Sequence, residues 1–337
     1  MASFMMKIVA VWLSLLVTTD AMITSPRPVC KATGHWPGFS NLKNTFIFGD
    51  SYTSIGFNQT GYQPTPTNPL GNPTYPGWTS SNGPNWIDFL TVKYNESSVL
   101  TYNLAYGGAT LDSALVAPYL PVVSSVAEQV DNEWFPTYGG KSALWSDNDT
   151  LFAFFDGIND VVNSYYNGAD ATNALYANIF AIYRGLVDEL YYAGGRNFAF
   201  LNVPPTQRSP LITGAGQWSI DTITAAILTW NTLLTQLANN VKTSFPDTNV
   251  FTVDANKVFT EVLDNPKRFA ATAGYLNTTE YCDGYQNGTP VEDTLDPSCG
   301  IPVNQYFWLN SLHPTYPMQD VLAQEVASVL KAGPNAC

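Results

Sequence analysis

Histidine is nearly missing from this chain: there are two in 337 residues, beside four cysteines and only 14 Lys and Arg. With so few nitrogen and sulfur ligands, and no HExxH or CxxC spacing, neither a metal site nor any other cofactor is expected. The 14 basic residues stand against 27 Asp and Glu, a formal charge of −13, and no basic patch interrupts that excess. A nucleic acid or an anionic lipid surface would be repelled, so neither is expected as a partner. Long apolar runs are scarce too. Ile8–Val17 falls well short of the ~20 residues that cross a bilayer. Lys7 before it and Thr19-Asp20-Ala21 after it give the layout of a cleavable signal peptide. Residues 1–21 are therefore expected to be removed and the mature chain 22–337 to be secreted.

What the chain does contain is apolar and aromatic material, 45% and 14% of its residues, enough for one large core. No repeat and no charged or Ser-rich linker divides it, so one domain, acting as a monomer, is expected over 22–337. Secretion makes Cys30, Cys282, Cys299 and Cys337 candidates for two disulfides. Spacing suggests Cys282 with Cys299 and Cys30 with Cys337, among the three pairings that four cysteines allow. It also makes the sequons at Asn58, Asn95, Asn148, Asn277 and Asn287 candidate N-glycan sites.

Five short apolar runs lack the alternation of a half-exposed sheet: 45–48, 100–104, 151–155, 198–203 and 250–253. They read as buried parallel strands. Between them lie stretches of helical period at 86–94, 120–134, 173–193 and 220–245, with 321–330 closing the chain. In the third, Ala174, Ala177, Ile179, Ile182, Leu186, Val187 and Leu190 form one apolar face. This order implies an α/β protein, a three-layer α/β/α sandwich around a mostly parallel five-stranded sheet. Sites in such sheets lie at the carboxyl ends of the strands.

The chemistry follows those strand ends. Strand one runs into Gly49-Asp50-Ser51, strand two into Gly107-Gly108-Ala109-Thr110 and strand three into Asp156-Gly157-Ile158-Asn159-Asp160. A serine becomes a nucleophile near neutral pH only with a base in hydrogen-bond reach. His313, in Asn310-Ser311-Leu312-His313-Pro314, is the candidate base. His35 reads as a surface or packing histidine. Asp50 and Asp160 read as buried hydrogen-bonding groups that fix the loops, not as a glycosidase pair.

Gly49-Asp50-Ser51 with Gly56, then Asn103-Leu104-Ala105-Tyr106-Gly107-Gly108-Ala109-Thr110, Gly157-Ile158-Asn159-Asp160 and His313-Pro314-Thr315 together resemble the blocks of the SGNH (GDSL) hydrolases. That resemblance implies a flavodoxin-like sandwich and acyl transfer through a seryl ester. It makes Ser51 the nucleophile and His313 the base. The Ser51 and Gly108 N–H groups and the Asn159 amide become the oxyanion donors, with Gly107 an alternative to Gly108. The chain departs from the pattern in three places. Tyr52 replaces a leucine and Ser54 an acidic residue, neither supplying a catalytic atom. Asn310 stands where the family usually has the aspartate that orients the histidine. An asparagine oxygen can hold an imidazole but cannot offset imidazolium charge. Three outcomes stay open: Asn310 orients His313, another acceptor replaces it, or the site is attenuated.

The loop Asn58–Trp86, with Tyr62, Tyr75, Trp78 and Trp86, and a second group, Tyr281, Tyr285, Tyr306, Phe307 and Trp308, offer aromatic faces for sugar rings, or miniature cores beneath the loops. The chain is most similar to the fungal acetyl esterases of carbohydrate esterase family 16. This implies deacetylation of short acetylated sugars of the xylo-oligosaccharide type. A GDSL lipase or phospholipase, or a sugar-binding protein with an attenuated triad, are the alternatives.

Overall fold

The five apolar runs are strands buried on both faces, which is why none alternates. They are β1 (Asn44–Gly49), β2 (Leu100–Asn103), β3 (Thr150–Phe155), β4 (Asn197–Leu201) and β5 (Asn249–Val253). The computed structural model describes residues 29–140 and 143–337; the expected signal segment, residues 1–21, lies outside them. All pairings are parallel, in the order β2-β1-β3-β4-β5. The order reverses across β1, so the ends of β1, β2 and β3 meet at a topological switch point, where such folds place their ligands. The expected sandwich and strand set are therefore present.

Helices α1 (Trp86–Val92), α7 (Ala255–Asp264) and α8 (Tyr316–Ala332) form one packed group; α2 (Val126–Glu128), α4 (Ala169–Tyr192) and α6 (Gln217–Ser244) form another. Two short helices, α3 (Ile158–Val162) and α5 (Pro210–Thr213), carry loop residues. The helix expected over 120–134 starts later. Ser125 caps it reciprocally with Glu128, and it continues over Gln129–Gly139 as a π-helix that contains Pro136. Proline has no N–H to give and crowds the preceding turn, so a regular α ladder cannot pass it. Helix α7 was not anticipated. Asp254 caps it by accepting from the Lys257 N–H, and Val258, Phe259, Val262 and Leu263 bury its inner face.

The core is aromatic at its centre. Phe46 of β1 packs against Phe152 of β3, Trp134 and Tyr138 at ring separations of 5.4, 5.6 and 5.2 Å. Truncating such a ring to alanine costs about 3–5 kcal/mol. Both suggested disulfides are present, Cys30–Cys337 and Cys282–Cys299. The second pins a satellite core of Tyr285, Cys299, Val303, Tyr306 and Leu309, which holds the long segment between α7 and α8.

Candidate active site

At the end of β1 the chain turns within one residue. Gly49 makes this possible: a Cβ there would sit 2.2 Å from the Phe155 carbonyl oxygen of β3, so no other residue fits. The Gln129 amide grips the glycine from both sides, accepting its N–H and donating to its carbonyl, each at 2.9 Å. Asp50 then points inward. One of its carboxyl oxygens accepts the Tyr52 N–H at 2.9 Å, and its carbonyl accepts from Thr53 and Ser54. Ser51 is left half-exposed at the tip.

His313 comes to Ser51 from 262 residues away. Its Nε2 lies 2.7 Å from Ser51 Oγ, and its Nδ1 lies 3.0 Å from Asn310 Oδ1. The same Oδ1 accepts the N–H groups of Leu312 and His313 at 3.1 and 2.9 Å. Those two N–H groups can only donate, so the amide oxygen, not its nitrogen, faces the imidazole. Nδ1 must then carry the proton, and Nε2 presents its lone pair to the serine. Of the three open outcomes for Asn310, this geometry supports the first, an acceptor on His313 Nδ1. In the serine-protease template, an asparagine in place of the aspartate fails because it leaves the wrong tautomer; here the two backbone donors hold the right one. Burial without a carboxylate partner lowers the His313 pKa from 6.5 to about 4, so the imidazole stays neutral above that range.

Tyr52 has a role that its lack of a catalytic atom concealed. Its hydroxyl donates to the Leu312 carbonyl at 2.5 Å, and its ring lies 5.5 Å from the imidazole. It bolts the serine loop to the histidine loop. A leucine at this position has no group with which to do so. The substitution itself was the available signal, since a tyrosine buried to 2% needs a partner for its hydroxyl.

The expected oxyanion donors converge only in part. Gly107 adjoins the nucleophile, a Cβ on it falling 4.0 Å from Ser51 Cβ. Among the described residues, no intramolecular bond occupies the N–H of Ser51, Gly107 or Gly108, so the ambiguity in the glycine pair persists. Asn159 Nδ2 donates to the Ala109 carbonyl at 2.8 Å and lies 3.5 Å from Asp50 Oδ2. One of its two N–H groups is thus held, and the other is only loosely engaged.

Below them sit three buried carboxyls. Asp160 accepts the Leu111 N–H with both oxygens, at 3.1 Å each, and so anchors the glycine loop. Asp156 accepts the Tyr183 hydroxyl at 2.9 Å. Burial pushes Asp50 up to about 8 and Asp156 to about 7, and raises Asp160 well above the usual carboxylate range, with mutual repulsion adding to both Asp50 and Asp160. Burial thus favours the protonated form of all three carboxyls. Asp50 and Asp160 thus fix the loops, as the sequence suggested. His35 lies far from the site, paired with Asp147 and Asn148.

A cleft of about 900 Å³ opens from His313 between the loop after β1 and the disulfide-bound segment, with Trp78, Asn82, Gln286, Asn287, Thr289 and Asn310 in its walls. The aromatic groups divide. Trp86, Tyr285, Tyr306, Phe307 and Trp308 are core residues. Tyr62, Tyr75 and Trp78 are exposed, Trp78 to 79%, and Tyr281 is half-buried.

Residues 45–326 match the family model described as GDSL-like Lipase/Acylhydrolase. The chain is 34% identical over 325 residues to an acetylesterase of Thermothelomyces thermophilus, covering 95% of this chain and 96% of that one. It is 23% identical over 328 residues to an acetylesterase of Hypocrea jecorina, covering 86% and 89%. Among solved structures, Axe2, an acetylxylan esterase from Geobacillus stearothermophilus, aligns with a TM-score of 0.46 and 14% identity over 86% of this chain and 94% of that one.

Proposed function

The chain belongs to the GDSL-like lipase/acylhydrolase family and is a carboxylic ester hydrolase; from that premise we propose that it removes acetyl groups from short acetylated carbohydrates, using Ser51, His313 and Asn310. The observation that carries the reading is the relay from Asn310 Oδ1 through the imidazole to Ser51 Oγ, at 3.0 and 2.7 Å. His313 Nε2 takes the serine proton as Oγ attacks the ester carbonyl. The oxyanion forms against the N–H groups of Ser51 and Gly108 and the Asn159 amide. His313 then returns the proton to the leaving alcohol, and water activated by the same nitrogen releases acetate from Ser51.

The substrate class rests on the cleft and on the acetylesterase relatives. The leaving alcohol lies beside His313, and there the walls offer amides and hydroxyls together with the exposed side chains of Trp78 and Val291. The amides and hydroxyls suit the hydroxyls of a sugar, and the indole suits its ring face. Two disulfides fit an oxidising compartment, in keeping with secretion. Exposed sequon asparagines away from the cleft, such as Asn58 and Asn148, are candidate glycan sites.

The test is release of acetate from 4-nitrophenyl acetate and from acetylated xylo-oligosaccharides by the wild type, Ser51→Ala and His313→Ala. We expect turnover of both substrates, with each variant reduced roughly 10⁴–10⁶-fold. A variant that keeps wild-type turnover would remove its residue from the mechanism.

A further inference from the structure

The cleft serves the leaving alcohol, whose oxygen must lie at His313 Nε2 to receive its proton. In the proposed reaction the carbonyl oxygen faces the N–H groups of Ser51 and the glycine pair. The acyl substituent is left to the other side of Ser51, along the glycine pair. There the ring of Tyr119 lies against Gly108. A Cβ on Gly108 would fall 2.2 Å from Tyr119 Cε1 and 2.6 Å from Cδ1. The aromatic ring therefore fills the place of the side chain that Gly108 lacks.

Core packing does not explain this tyrosine. It is 71% exposed and, among the described residues, has no hydrogen bond, ion pair or ring partner. Its neighbours Leu120 and Val122 are also exposed, at 48% and 71%, and Tyr106, 40% exposed, precedes the glycine pair. None of these four lines the cleft beside His313. The cleft beside His313 thus mixes amides and hydroxyls with apolar groups, whereas the segment of Tyr119, Leu120 and Val122 presents exposed side chains without an amide or a charge.

We propose that Tyr119 is the acyl-side wall of the site, a specificity-determining residue whose ring on Gly108 limits the acyl group to a short chain. This rests on the ester hydrolase reading and deepens it. An acetyl group ends before the ring, whereas a butyryl or longer chain meets it. Removing the ring opens the way to the apolar surface of Leu120 and Val122.

The experiment measures kcat/KM for 4-nitrophenyl acetate, butyrate and octanoate with the wild type, Tyr119→Ala and Tyr119→Trp. The butyrate-to-acetate ratio should rise about tenfold or more in Tyr119→Ala, since each methylene accommodated in an apolar site changes discrimination by about that factor. It should not rise in Tyr119→Trp. Active wild type with unchanged ratios in both variants would overturn the role of Tyr119 alone. So would a parallel fall on all three esters, which would mark Tyr119 as a support for the glycine loop. A wild type inert on every ester would overturn the hydrolase reading, and this proposal with it.

Discussion

The loops at the strand ends and the loops that wall the cleft are built differently. Ser51, the glycine pair and Asn159 follow β1, β2 and β3 almost at once, on turns fixed by buried groups: Gln129 on Gly49, Asp160 on Leu111, Asn103 on the Thr53 carbonyl at 2.7 Å. The cleft walls come from residues 56–85 and 276–314, which hold no strand and no helix longer than one 3₁₀ turn. These are tied by their own contacts, such as the Asn72 amide to Asn58 and Tyr62 carbonyls at 2.9 Å each and the Cys282–Cys299 bridge. The strand-end loops are fixed by buried groups of the sheet and its helices; the walls depend on contacts of their own, with a satellite core under 276–314 and side-chain to backbone hydrogen bonds within 56–85. The difference assigns the bond-making groups to the first set and recognition of the leaving alcohol to the second, with Tyr119 on the β2 loop reserved for the acyl side, and it can be tested residue by residue.

Substitutions of Ser51, Asn159 and the buried groups that brace their turns should reduce turnover on every ester alike. Asn159→Ala is expected to lower kcat about 10²–10³-fold, the usual cost of one oxyanion donor, on nitrophenyl and sugar acetates equally. An effect confined to sugar esters would move Asn159 to the substrate wall. Tyr52→Phe removes one hydrogen bond that joins the serine and histidine loops. A loss of about fivefold in kcat with KM unchanged is expected, since about 1 kcal/mol of positioning is given up. A change in KM alone would make the Tyr52 contact merely structural. In the walls the expected effect is smallest. Trp78→Ala should lower kcat/KM on acetylated oligosaccharides several-fold more than on 4-nitrophenyl acetate; an equal loss on both would end the distinction between the two regions.

The same division governs how much could be read before the fold was known. Strands such as 151–155 were visible to within a residue because burial on both faces leaves an uninterrupted apolar run. Ser51, the glycine pair and Asn159 were visible because each closely follows such a run, and His313 because it is one of only two histidines and heads a His-Pro-Thr block. The walls were not, because an aromatic in a loop looks the same whether it stacks on a ligand or on its neighbours. Trp308 and Trp78 both sit in wall loops, yet one is 2% and the other 79% exposed. Helix 120–134 was misplaced because apolar period continues through Leu120, Val122 and Val123, while the start is set by the Ser125–Glu128 cap. Tyr119 was overlooked because its contact depends on a glycine with φ of 87°, which sequence spacing does not reveal. Asn310 was recognised as the odd residue of the motif. That its oxygen faces the imidazole depends on two backbone N–H groups, a fact of the loop and not of the residue type.

Asn310, held oxygen-first, is proposed to keep a neutral His313 as the base. The pH dependence of kcat/KM for 4-nitrophenyl acetate tests it, because this quantity reports the ionisation of the free enzyme. Activity requires deprotonated Nε2, and burial lowers the His313 pKa to about 4. The acidic limb of the wild type should therefore lie well below pH 6.5. In Asn310→Asp the carboxylate favours the imidazolium, so the limb should move up by roughly 1 to 3 pH units. A wild-type limb at pH 6.5 or above, or a limb that stays in place in Asn310→Asp, would contradict the account.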